Sequence, residues 1–131
     1  MTFLMAILEA VGSDAEIHSL DKSLGISFCG KPQTFEEDGV PLYWAMLTII
    51  DEELPEEIGV ERTFKWLSLN IESLVDISGR LTLEIQCGLK LNHGSRFLKI
   101  PVEGLELLIA LNCDLRLQFM KESPGRSTAG N

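Results

Sequence analysis

Carboxylates are the side chains of this chain best equipped for chemistry, and they come in runs. Glu36-Glu37-Asp38 and Asp51-Glu52-Glu53 contain the paired acids that a glycosidase uses. Such a pair works only when its surroundings split the two pKa values, usually by taking one acid out of water. Both runs read instead as solvated. The first also lacks the alternate-position ligands over about twelve residues that a calcium loop requires. Nucleophilic catalysis needs a nucleophile, a base and a third group that orients the base. The two histidines, His18 and His93, do not supply that set. His93 lies in the turn-like Asn92-His93-Gly94. On a strand, Asp14, Glu16 and His18 would share a face, but a metal site there needs partners that the local sequence lacks. Cys87 is in phase with an apolar strand face and Cys113 precedes an apolar strand, so both read as inert, buried thiols. Cys29, in a glycine-containing loop, reads as the accessible one. No CxxC, GxGxxG or GxxxxGK is present. We therefore expect no catalytic residue, no metal site and no cofactor: not an enzyme.

The acids point elsewhere. Nine of the twenty acidic residues fall within the 26 positions from Glu36 to Glu61, a window without Lys or Arg. Such a surface repels nucleic acid and anionic lipid and attracts basic proteins. The eleven basic residues do not cluster, which argues against nucleic-acid binding. Glu56, Glu57 and Glu61 suit the positive end of a helix dipole. Glu36, Glu37, Asp38, Asp51, Glu52 and Glu53 have no such local role and are the candidate partner-binding residues. Trp66, off the apolar stripe of its helix, is the candidate anchor among them.

The elements that must position these residues follow from periodicity. Phe3–Ala10 is a short apolar run suited to a buried strand, and Ile17, Leu20 and Leu24 sit at helical spacing before Gly25. Cys29–Pro41, with Gly30, Pro32 and Gly39, reads as an irregular connection. Leu42–Ile50 is rich in aromatic and β-branched residues and predicts a strand. Asp51–Glu57 then leads into a helix whose Val60, Phe64, Leu67, Ile71 and Leu74 share one face. Leu81 to Leu91 alternates with period two, the clearest strand of the chain, with Gly88 marking a bulge or a close approach. Arg96–Ile100 reads as its hairpin partner. Pro101 opens a helix bearing Val102, Leu105, Leu108 and Ile109, Asn112 can end it, and Leu115, Leu117 and Phe119 form a last strand. The order predicts an α+β fold: a mainly antiparallel sheet of about five strands with helices packed on one face.

At 131 residues the chain predicts a single domain over residues 1–121, followed by a disordered tail at 122–131. Three cysteines without close spacing predict reduced thiols. Thr2–Ala10 lacks the positive start of a secretory signal, and no run reaches the length of a membrane span. A cytoplasmic location is expected.

Several pieces together carry a resemblance. They are Leu24-Gly25-Ile26, Gly39 followed by Trp44, Phe64-Lys65-Trp66-Leu67, and Ile100-Pro101-Val102-Glu103-Gly104-Leu105 through Leu115-Arg116-Leu117. In this order the chain resembles, over roughly residues 3–120, a bacterial family known as a domain of unknown function (number 4279). Pro32 stands several residues after Leu24-Gly25-Ile26, where that family has a proline almost at once. The resemblance implies no catalytic residue. Small acidic proteins of this type often occur as immunity proteins beside secreted bacterial toxins. The expectation is thus a non-enzymatic protein that neutralises a basic toxin domain, such as a nuclease, through its acidic surface. The alternative is a small-molecule-binding or regulatory domain with a pocket between sheet and helices.

Overall fold

The computed structural model describes residues 1–24, 34–37, 40–75, 80–89 and 97–121. Its elements are β1 (Thr2–Gly12), α1 (Asp14–Leu24), β2 (Thr34–Glu37), β3 (Val40–Pro55), α2 (Glu56–Leu69), α3 (Ile71–Val75), β4 (Arg80–Leu89), α4 (Val102–Ala110) and β5 (Cys113–Lys121). The class is α+β. Five strands form one sheet in the order β2-β3-β1-β4-β5. All neighbours run antiparallel except β4 and β5, which are parallel.

The apolar core lies on one face of this sheet. Phe3, Ala6, Leu8 and Ala10 of β1 pair with Cys87, Ile85, Leu83 and Leu81 of β4, and all eight are buried. Phe3 and Ala6 are three residues apart, an odd step that should send them to opposite faces. The register with β4 slips by one residue between Phe3 and Met5, and this bulge in β1 returns both side chains to the core. Gly88, where a bulge or a close approach was expected, pairs regularly with Thr2 and Met120.

Leu20, Val60, Phe64, Leu67, Leu74 and Leu108 bring all four described helices into the same cluster. The expected stripe from Val60 to Leu74 is present but broken. Asn70 caps α2 with its backbone N–H bonded to Trp66 and Leu67 carbonyls, and its side-chain Nδ2 donates to Trp66 O at 2.9 Å. Its own carbonyl accepts from Ser73 and Leu74, which starts α3. The buried residues Gly59 and Gly104 allow α2 to approach β1 and α4. A Cβ on Gly59 would lie 2.1 Å from Phe3 Cγ, and one on Gly104 3.0 Å from Phe64 Cδ1.

Four expectations are corrected. Residues 97–100 form no strand, because β4 already has β1 and β5 on its two edges; Leu98 and Ile100 pack on the core instead. The sheet is mixed, since β5 is reached through α4 and so runs parallel to β4. Thr34–Glu37 is a strand paired to Val40–Tyr43, within the stretch read as irregular. Asp51–Pro55 continues β3 before the helix, held by pairing of Leu54 with Phe3 and Pro55 with Thr2. Gly25, Cys29, Pro32, Asp38, His93 and the 122–131 tail lie outside the described residues.

Candidate functional site

The end of β3 and the start of α2 build an acidic ridge. Between Met5↔Asp51 and Phe3↔Leu54, β3 advances three residues while β1 advances two, so Glu52 and Glu53 share a bulge. A bulge leaves backbone unpaired and turns side chains outward, where a charge keeps its water. Asp51, Glu52 and Glu53 are exposed, and so are Glu57 and Glu61, one helical turn apart on α2. Arg62 reaches Glu52 at 3.6 Å, with both side chains more than half exposed. Ile58, between Glu57 and Glu61 in sequence, is 41% exposed.

Beside the ridge, α2 and α4 leave a cleft of about 540 Å³. Val60, Phe64, Gly104 and Leu107 are among the residues that line it, and Glu57, Glu61, Glu103, Lys65 and Lys99 supply its charges. Glu56 Oε1 accepts from the Lys99 backbone N–H at 3.3 Å, which ties the segment before α4 to the start of α2. Apolar atoms line the cleft, and its three carboxylates against two ammonium groups leave it only a small acidic excess.

Asp51, Glu52 and Glu53 lie at the end of β3, and Glu57 and Glu61 follow on α2 facing the cleft, while Arg62 of α2 is the residue that pairs with Glu52. Sequence reasoning had assigned Glu57 and Glu61 to the helix dipole alone, and their i,i+4 spacing was the available signal. Glu36 and Glu37 sit on β2, paired with Pro41 and Val40, at the sheet edge beyond β3. Asp38 lies outside the described residues. Trp66 is partly buried and packs against the core cluster. Ile58, which sequence reasoning passed over, is the exposed apolar side chain of the ridge.

The face of the sheet that points away from the core carries a second polar group. Glu84 is 9% exposed. Arg116 Nη1 donates to its Oε1 at 3.2 Å and Gln86 Nε2 to its Oε2 at 2.6 Å, while Glu9 lies 3.7 Å from the same guanidinium. Both Glu84 oxygens are therefore satisfied by charge-assisted bonds, which suits a structural tie between β1, β4 and β5 better than an acid waiting for a substrate.

The remaining candidates fit structural roles. Asp14 and His18 are helix neighbours in α1, with the imidazole Nδ1 2.8 Å from Asp14 O and 3.0 Å from its carboxylate. Glu16 does not join them. It accepts from the Ser13 N–H at 3.1 Å while Ser13 Oγ accepts from the Glu16 N–H at 3.2 Å, a reciprocal capping box. Cys87 is fully buried and burial raises its pKa; burial likewise pushes Cys113 up to about 11. Neither thiol is an activated nucleophile. Among the described residues no group of three or more His, Cys, Asp or Glu is placed to hold a metal ion, and no helix is long and apolar enough to cross a membrane.

No family model matches the chain, and no curated protein or solved structure shows significant similarity to it.

Proposed function

We propose that this chain is a non-enzymatic binding protein that docks on a basic protein partner through the acidic ridge at the junction of β3 and α2. One observation carries this reading: Asp51, Glu52, Glu53, Glu57 and Glu61 are all exposed at the junction of β3 and α2, against the two exposed cations Arg62 and Lys65, with the apolar Ile58 41% exposed on the same helix. Carboxylates in that arrangement steer a basic surface into place, and an exposed apolar side chain on the same helix adds the desolvated contact that slows its departure. A toxin domain that must be basic to hold phosphate, such as a nuclease, is the partner class that fits, and the chain would be its immunity protein. The residues of the ridge are Asp51, Glu52 and Glu53 together with Glu57, Glu61 and Ile58; Glu36 and Glu37 lie on a separate strand edge.

The test is capture of the product of the adjacent gene by the whole chain. A complex that weakens steeply with salt, and whose association slows by at least about tenfold when Asp51, Glu57 and Glu61 are replaced by Lys, is the expected result. A partner bound without salt dependence, or no complex at all, overturns the proposal. The cleft between α2 and α4 favours a second reading, a small-ligand site, because about 540 Å³ is within the size range of such pockets. A saturable, salt-insensitive thermal shift with a small molecule would favour that reading.

A further inference from the structure

Six of the ten exposed large hydrophobic side chains among the described residues belong to α4 and β5: Val102, Leu105, Ile109, Leu117, Phe119 and Met120. This concentration falls where the sheet ends. Among the described residues β5 closes the strand order, and none of them is hydrogen-bonded along its outer edge as a further strand. Leu117 and Phe119 stand in register with Ile85 and Cys87, which are fully buried, yet they are 40% and 45% exposed. The apolar layer of the core thus runs out to the edge and stops there uncovered.

Sheet edges are normally blunted by brevity, by proline or by charges that point inward. β2, the opposite edge, has four residues. β5 has nine, with no proline, and its core-side positions from Cys113 to Phe119 carry no charge. Charge also distinguishes it. With Asp114 against Arg116 and Lys121, β5 is the one described element with a net positive charge, in a chain of net −9. Two copies repel over most orientations, but β5 itself brings no acidic excess to a second copy; the acids on this side are Glu103 and Glu106 of α4.

We infer that β5 is the interface of a two-fold homodimer, pairing antiparallel with β5 of a second copy about Leu117. Centred there, the strand complements itself. Leu117 meets Leu117 and Leu115 meets Phe119 twice on the core side, while Arg116 meets Gln118 on the other side. The pairing is isologous and closes at two copies. It joins the two sheets and brings both α4 helices, with their exposed Val102, Leu105 and Ile109, to the same side of the joined sheet. β3 is separated from β5 by β1 and β4, so Asp51, Glu52 and Glu53 stay clear of the β5 pairing.

Sedimentation of the whole chain tests this. The expected species is a dimer, twice the 14.6 kDa of one chain. Replacing Leu117 and Phe119 together by Lys should weaken it by at least about tenfold, with an unchanged circular dichroism spectrum. Should that variant misfold, Leu117→Cys in a Cys29→Ser, Cys113→Ser background gives an independent readout: mild oxidation should cross-link it across the two-fold axis. A wild-type monomer, an open-ended oligomer, a dimer indifferent to the lysines or a Leu117→Cys chain that stays uncrosslinked would each overturn the inference.

Discussion

The hydrogen bond from the His18 imidazole toward the Asp14 carbonyl, backed by the Asp14 carboxylate, favours the protonated ring and raises its pKa above the usual 6.5. A folded-state pKa raised above the unfolded value adds stability at pH below that unfolded value, and the gain is lost as pH rises through the folded value. Both side chains are well exposed, so the gain is small. An NMR titration should place His18 above 6.5, and Asp14→Asn should bring it back toward that value; a His18 pKa that ignores this change would refute the pairing. The residue types here were legible in the sequence but their partners were not. Asp14, Glu16 and His18 would share a face only on a strand, and the spacing of Ile17, Leu20 and Leu24 already favoured a helix; α1 pairs Asp14 with His18 and sends Glu16 back to Ser13. The Ser13-x-x-Glu16 spacing carried the answer, because it marks a helix start from local sequence alone.

At the scale of elements, α2 is seated on β1 by the absence of a side chain at Gly59. Alanine there would gain helix propensity, up to about 1 kcal/mol, but its Cβ would overlap the Phe3 ring. The clash dominates, and Gly59→Ala should lower unfolding free energy by about 1–3 kcal/mol in a urea titration. An increase would mean that Phe3 has another place to go. Periodicity foretold α2, α4 and β4 because each writes its own apolar face into the chain. It could not foretell the parallel pairing of β5 or the absence of a strand at residues 97–100. Those depend on which strand edges remain open after distant segments have paired, and no local pattern encodes that. The acidic ridge divides the same way: its residues were visible as a run, while the bulge that turns Glu52 and Glu53 outward depends on register with β1.

For the molecule as a whole, a net charge of −9 sets acid against acid over much of the surface. Screening should relieve this strain. Raising sodium chloride from roughly 0.05 to 0.5 M should raise the melting temperature by a few degrees in calorimetry. The Arg116–Glu84 tie opposes the trend only weakly, because Glu84 is buried and poorly screened. A fall in melting temperature would show that ion pairs outweigh self-repulsion. The strand order has its own consequence in time. β1 is the central strand, flanked by β3 and β4, and both are translated after it. On the ribosome its buried face, Phe3, Ala6, Leu8 and Ala10, therefore waits until residue 55 for one neighbour and residue 89 for the other. Such late closure slows folding and leaves an apolar strand open to wrong partners. Nascent β1 is thus the segment for which a chaperone should compete.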